Sequence, residues 1–299
     1  MELRRVAGNS YVFEGATNMG LYTLNGECIL VDTGFGRDNA RKALKILRER
    51  GLSLTAVINT HCHADHCGGN YFISRRTRAE FYAPRLEAPY IEKPELHVRS
   101  LYGLAYPPQD RTTRLLLGDE CRIQHQIESG VVSVGEAKFT IIPLPGHSVG
   151  QVGVLTEDNV LYAGDAIFTQ KTLRKHPIPF YVDPDETINS LERLVELGAE
   201  VVVPGHGEVL RGEDIRSQAD YYSNRIRSIE DAVLEALKEP LATEEVVARV
   251  ASGFGVEPVM LQYLLVSTTI KGHLTSLLRR GAVTAELRGF RVFWRRVRA

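Results

Sequence analysis

Four short segments of this chain concentrate side chains capable of metal chemistry. Thr60-His61-Cys62-His63-Ala64-Asp65-His66 holds three imidazoles and a carboxylate, Gly146-His147 and Pro204-Gly205-His206-Gly207 add two more imidazoles, and Gly164-Asp165 adds a second carboxylate. Neutral imidazole and carboxylate suit zinc, and the same nitrogen and oxygen donors also admit iron or manganese. Seven donors exceed what one tetrahedral ion uses, but they suit two ions sharing a carboxylate. Two adjacent ions lower the pKa of a bridging water, hold hydroxide near neutral pH and polarise a substrate oxygen. The expectation is a metal-dependent hydrolase with two zinc ions per chain. Its bridging hydroxide attacks an ester-like bond, thioester or phosphodiester, and Asp65 orients the hydroxide or accepts its proton. A binding module with an idle core is disfavoured, because the ligand set is intact.

The surrounding pattern explains how such residues could meet. Each segment follows an apolar run read as a strand: Leu54–Asn59 before His61, Phe139–Leu144 before His147, Val160–Tyr162 before Asp165 and Val201–Val203 before His206. Ligands at strand ends converge at one edge of a sheet. The flanking glycines permit turns that side chains would obstruct. Asn25-Gly26 between two apolar runs predicts a hairpin. Apolar spacing predicts helices over 38–50, 184–198 and 213–238, the second capped by Asp183. Residues 71–120 carry five prolines, at 84, 89, 94, 107 and 108, and read as an insertion or lid of short helices and loops. After Pro240 the pattern predicts three helices, starting near Thr243, Pro258 and Thr268, then a hairpin turning at Arg288-Gly289. In it Phe290, Val292 and Trp294 form a half-buried face. This order suits a winged-helix-like domain.

Other residues carry weaker signals. Lys171, Arg174, Lys175 and His176 follow Asp165 closely and could form a cationic loop that holds a substrate carboxylate or phosphate. Tyr102 and Tyr106 could wall a lid. As lone histidines, His97, His125, His176 and His273 read as ordinary core or surface residues. Cys28, Cys62, Cys67 and Cys121 show no disulfide or zinc-ribbon spacing and read as buried and reduced; Cys62 is expected to turn away from the metals. The net charge of −1 on 299 residues excludes a globally basic nucleic-acid binder. Yet nine Lys/Arg (Arg249, Lys271, Arg279, Arg280, Arg288, Arg291, Arg295, Arg296, Arg298) face four acids beyond Pro240. That tail carries +5 and leaves −6 on the remainder. With no signal-peptide core and no membrane-length apolar run, the chain is expected to be cytoplasmic, with no membrane partner.

Thr60–His66 resembles the HxHxDH signature of the metallo-β-lactamase superfamily, and Gly146-His147, Gly164-Asp165 and Gly205-His206 resemble its later motifs, in order. The resemblance implies an α/β four-layer αβ/βα sandwich. It implies that His61, His63 and His147 hold one metal, that Asp65, His66 and His206 hold the other, and that Asp165 bridges. Asp32, in Val31-Asp32-Thr33-Gly34, matches an aspartate that orients the metal loop without binding metal. Glyoxalase II enzymes share these ligands, but Thr169-Gln170-Lys171-Thr172 does not resemble their glutathione-binding loop. There is no room for the large extra domain of the β-CASP branch. The chain most resembles the lactamase-like branch ending in a small winged-helix-like domain, some members of which cleave single-stranded RNA. On this reading residues 1–238 are catalytic and residues 239–299 form the small domain. The substrate is a small-molecule ester or thioester, or a nucleic acid, and the small domain could also build a homodimer. The alternatives are a single-stranded RNA endoribonuclease and an iron-dependent redox or sulfur enzyme on the same fold.

β-Lactamases of this fold commonly carry Cys where this chain carries Asp165. Nitrocefin turnover is therefore expected to stay below that of an acyl thioester and an aryl phosphodiester measured in parallel. A lactam rate above both overturns this ranking.

Overall fold

The computed structural model describes residues 1–108, 110 and 113–297; Arg298 lies outside them. In chain order the elements are β1 (Glu2–Ala7), β2 (Ser10–Glu14), β3 (Met19–Leu24), β4 (Glu27–Val31), α1 (Gly36–Glu49), β5 (Ser53–Ile58), α2 (Ala64–Cys67), α3 (Asn70–Ser74), β6 (Glu80–Pro84), α4 (Ala88–Glu92), α5 (Pro94–Ser100), β7 (His125–Ile127), β8 (Gly130–Val134), β9 (Ala137–Pro143), β10 (Val152–Thr156), β11 (Val160–Gly164), α6 (Gln170–Lys175), α7 (Pro184–Glu196), β12 (Val201–Pro204), β13 (Leu210–Arg211), α8 (Glu213–Ala236), β14 (Leu241–Ala242), α9 (Thr243–Gly253), α10 (Met260–Arg279), β15 (Val283–Arg288) and β16 (Arg291–Arg296).

Strands β1 to β7 form one sheet in sequence order, and β13-β12-β11-β10-β9-β8 form a second. The sheets pack face to face over Val12, Tyr22, Ile29 and Ile58 from the first and Phe139, Val154, Tyr162 and Val203 from the second. Helix α1 covers the outer face of the first sheet through Ala40, Ala43 and Leu47, whose spacing puts them on one stripe. Helices α7 and α8 cover the second sheet through Leu191, Leu194, Ile215 and Tyr222. These are the four layers of the αβ/βα sandwich. The Asn25-Gly26 turn forms as its positive φ preference requires, at 51° and 85°. Asp183 caps α7, its Oδ1 accepting from the backbone N–H of Asp185 and Glu186 at 3.0 and 3.2 Å.

Strand direction places the site. β4 and β5 are parallel, as are β11 and β12. β9 and β11 both pair antiparallel with β10 and so run the same way. Asp32, His61, His147, Asp165 and His206 each follow the C-terminal end of one of these five strands.

Four expectations need correction. Residues 80–84, assigned to the insertion, form β6, a strand between β5 and β7; Phe81, Tyr82 and Ala83 are buried, and such a run suits a parallel strand covered on both faces. Residues 170–175 form a short helix, not a loop: Thr169 caps it and buried Leu173 anchors it. The second and third C-terminal helices are one, α10. Its Gly272 packs so closely that a Cβ there would lie 2.7 Å from the Val182 carbonyl oxygen, so this glycine serves close approach rather than a break. The hairpin turns at Gly289-Phe290, with Arg288 paired to Arg291. Phe290 is fully exposed and Val292 is 38% exposed; only Trp294 packs, donating from Nε1 to Thr243 Oγ1 at 2.9 Å, because the hairpin projects past the helices.

Helix α8 joins two cores: Ile215, Tyr222 and Ile226 belong to the second sheet's cover, and Ile229 and Val233 pack with α9 and α10. No helix among the described residues is long and apolar enough to cross a membrane. The four cysteines are free and buried.

A Cβ on Gly20 in β3 would lie 2.5 Å from the Tyr162 ring of the opposite sheet. Gly20→Ala is therefore expected to cost about 1–3 kcal/mol by overpacking. The reading is a lower urea midpoint at unchanged slope. An unchanged midpoint contradicts this sheet-to-sheet contact.

Candidate metal centre

The loop after β5 is fixed by one carboxylate. Asp32 sits just past β4 at φ 62°, a left-handed conformation that Asp tolerates better than most residues. Its Oδ1 accepts the Thr60 backbone N–H at 2.8 Å; its Oδ2 accepts the Thr60 hydroxyl at 2.8 Å and the His66 Nδ1–H at 2.9 Å. The single Thr60 proton goes to the acceptor-only carboxylate. The Thr60 oxygen is therefore left to accept from His61 Nδ1–H, at 3.0 Å. Elsewhere His147 Nδ1–H donates to the Phe180 carbonyl at 2.9 Å and His206 Nδ1–H to the Ala16 carbonyl at 2.7 Å. Four imidazoles are thus tied by Nδ1 and turn Nε2 inward. His63 is reversed: its Nδ1 faces the cluster, 2.9 Å from His147 Nε2.

Asp165 lies among these rings. Its Oδ1 is 3.3 Å from His66 Nε2, and its Oδ2 is 3.4 Å from His147 Nε2 and 3.5 Å from His206 Nε2. Asp65 Oδ2 is 3.1 Å from His206 Nε2. A Cβ on Gly205 would fall 2.2 Å from Asp165 Oδ1 and 2.5 Å from the His66 ring, so only glycine lets this loop pass. His61 and His66 are fully inaccessible, while Asp65 and His206 are part-exposed and form the open side. Phe168 and Phe180 stand beside the rings; Phe180 lies 5.4 Å from His63 and 5.5 Å from His147, centroid to centroid.

The residues fit metal ions. His61 Nε2, His66 Nε2 and Asp165 Oδ1 are buried without hydrogen-bond partners, a costly state that a cation relieves. The donors of His61, His63 and His147 lie within 4.8 Å of one another, as do those of Asp65, His66 and His206. Two further sets meet the same spacing, Cys62 with His63 and His97, and Asp32 with His61 and His66; Asp165 lies against His66 and His206 on one side and His147 on the other. The electrostatics of the first two groups differ. Burial and nearby imidazoles hold His61 and His63 well below the usual histidine pKa, and burial lowers His147. Burial also opposes charge on His66 and His206, but Asp165 overrides it, raising His66 and pushing His206 up to about 10. Against its own burial, Asp165 is held well below the carboxylate range by His206, His66 and His147.

The profile of the metallo-beta-lactamase superfamily matches residues 12–206. The chain belongs to that superfamily. A relative named as a probable metallo-hydrolase of Bacillus subtilis (strain 168) is 27% identical over 221 residues, covering 67% of this chain and 83% of the relative. An atrochrysone carboxyl ACP thioesterase of Aspergillus fumigatus is 26% identical over 223 residues, covering 74% of this chain and 60% of the relative. The crystal structure of a metallo-beta-lactamase family protein from Thermus thermophilus superposes with a TM-score of 0.72 at 24% identity, over 96% of this chain and 94% of that one. This superfamily member is a metal-dependent hydrolase, and its His and Asp clusters suit the dinuclear site typical of the family.

Residues without a motif signal also build the site. Thr60 and the Phe180 carbonyl set two imidazole tautomers, and no spacing marks either. His97, read as background, lies on α5 with its ring 4.8 Å from that of His63. Cys62 packs into the apolar cluster beneath the first sheet. Lys171, Arg174 and Lys175 are exposed on α6, with no ion pair found among the described residues, and His176 is close enough for His206 to depress it after partial burial does.

Because His66 and His206 are held protonated and must lose those protons to bind metal, uptake is expected to release roughly three protons at pH 7, two from these imidazoles and one from the water that becomes hydroxide, while binding about two ions per chain. Affinity therefore falls as pH falls. Calorimetry of zinc binding in buffers of different ionisation enthalpy reads both numbers; uptake without proton release contradicts the charged state of this half of the site.

Proposed function

We propose that the chain is a dinuclear zinc hydrolase of ester-like bonds, with an acyl thioester carrying an anionic group as its preferred substrate. The observation that carries the reading is the convergence of inward ring nitrogens, those of His61 and His66 without hydrogen-bond partners, around the Asp165 carboxylate. His61, His63 and His147 would hold one ion, Asp65, His66 and His206 the other, and Asp165 would touch both. Such a pair supplies Lewis acidity and an activated water at neutral pH. Asp65, the more exposed carboxylate, orients the attacking water and accepts its proton. His97 is held at about 4 by burial and His147, so it stays neutral at pH 7 and is a weak proton donor there. A thiolate, with a thiol pKa of about 8.5, leaves with less protonation than an alkoxide needs. The thioesterase among the relatives agrees with this choice.

The anionic group is proposed to lie along the charged Lys171, Arg174 and Lys175 of α6 and the uncharged His176 just past it, which is near His206. Residues 239–299 are read as a winged-helix-like domain that borrows the end of α8 as its first helix and helps shape the substrate channel. Half of its eight arginines are paired with acids: Arg279 with Asp183 and Asp185, Arg280 with Glu230, Arg288 with Glu286 and Arg291 with Glu245. That pairing argues against a phosphate-binding surface, and so against single-stranded RNA as the main substrate. Iron chemistry on this ligand set is distinguishable by metal content.

Lys171, Arg174 and Lys175 replaced together by Ala are expected to raise KM for an anionic acyl thioester about tenfold or more while changing kcat little. The wild-type protein is assayed beside this variant on the thioester, an aryl phosphodiester and labelled single-stranded RNA, with metal content measured on the same sample. RNA cleavage faster than thioester hydrolysis, or an unchanged KM, rejects the substrate assignment.

A further inference from the structure

Glu87 is fully buried, yet it makes no ion pair with a cation among the described residues. It stands at the N-terminus of α4, where a carboxylate usually caps its own helix, but its side chain makes no capping bond. Instead Oε2 accepts the backbone N–H of Cys62 at 3.1 Å, and Oε1 accepts the Ser148 hydroxyl at 2.9 Å and the Gly150 backbone N–H at 2.7 Å. Cys62 lies between His61 and His63; Ser148 directly follows His147. One carboxylate therefore ties the loop bearing two ligands of one group to the loop bearing the third. Gly150 leaves the space: a Cβ there would meet Leu86 Cβ at 2.8 Å and Glu87 Oε1 at 3.2 Å.

Placing an ionised carboxylate in a fully buried position is costly unless its hydrogen bonds are all made. Here they are made by three neutral donors, all on the two ligand loops. The opposite group has its own buried acid, Asp32, bonded to His66. We infer that Glu87 is a positioning residue for the His61, His63 and His147 group: it sets the distance between the two ligand loops and supplies a negative charge behind three uncharged ligands. The inference rests on the dinuclear reading above. Glu87 bears on the two loops of this group, whereas Asp32 reaches both groups, His66 directly and His61 through Thr60.

Glu87→Gln keeps the shape but breaks the pattern. An amide has one acceptor oxygen, so an NH2 group would confront a backbone N–H. Glu87→Asp keeps the charge but is too short to reach both loops. The metal-free full-length proteins are titrated with Zn2+ against a chromophoric chelator, with circular dichroism and Tm recorded on each. Wild type is expected to bind two ions. Each Glu87 variant is expected to bind one of them about 10- to 100-fold more weakly with the other affinity little changed, and to show a lower metal-free Tm because a buried N–H loses its acceptor. Asp32→Asn, which loosens His66 and, through Thr60, His61, is expected to weaken both ions, alone or in the Glu87→Gln/Asp32→Asn double variant, so loss confined to one ion is the mark of Glu87. The inference is overturned if both affinities survive Glu87→Gln, if both fall together with Tm, or if the double variant still binds one ion as tightly as wild type. Wild type binding fewer than two ions rejects the dinuclear reading, and this inference with it.

Discussion

The metal centre depends on a buried carboxylate that never needs to touch a metal. Asp32 receives three hydrogen bonds from Thr60 and His66, and Thr60 in turn receives one from His61. The chain from β4 to β5 to the ligand loop is thereby locked at the point where two parallel strands end. Hydrogen bonds to a charged group are worth about 1.5–3 kcal/mol each, and leaving one partner buried and unmatched costs as much or more. The imidazoles are thus held by the fold before any ion arrives. The ions then find ring nitrogens already aimed, and little ordering entropy remains to be lost on binding.

The two halves of the centre are electrostatically unlike. One presents three imidazoles that burial keeps neutral; the other presents two imidazoles kept charged by Asp165 and Asp65. Asp165 sits between them, so its low pKa reflects the imidazoles on both sides. The neutral half is ready to bind without losing protons, whereas the charged half exchanges protons for metal. This difference arises from where the two carboxylates fall, not from the ligand types, since both halves use histidine.

The C-terminal helix reaches this centre through a short segment of backbone. Thr269 of α10 accepts the Tyr181 N–H at 3.3 Å and lies 3.1 Å from the Tyr181 carbonyl, and the Tyr181 hydroxyl lies 2.7 Å from His273 Nε2. The preceding residue, Phe180, gives its carbonyl to His147. Arg279 and Ser276 reinforce the contact through Asp183 and Asp185. Helix α10 is therefore part of the support for the His147 imidazole, and a shift of α10 would be felt there.

The sequence alone located the donor-rich segments, the strands that carry them and the sandwich that follows, because these depend on local signals. Ligands crowd into short motifs, apolar runs precede them, and turn residues such as Asn25-Gly26 have intrinsic φ preferences. It also determined the Asp183 cap, since a cap acts within one helical turn. It did not disclose the contacts of Glu87, Phe180 or His97 with the histidine loops, which join distant segments and carry no spacing. Nor did it disclose that β6 belongs to the first sheet, where five prolines suggested an insertion, or that α10 is unbroken, where a glycine serves packing against Val182. The net charge of +5 beyond Pro240 was legible, but the pairing of Arg279 and Arg280 with Asp183, Asp185 and Glu230, which offsets part of it, was not. Those acids come from α7 and α8, and only the folded chain brings them to the arginines.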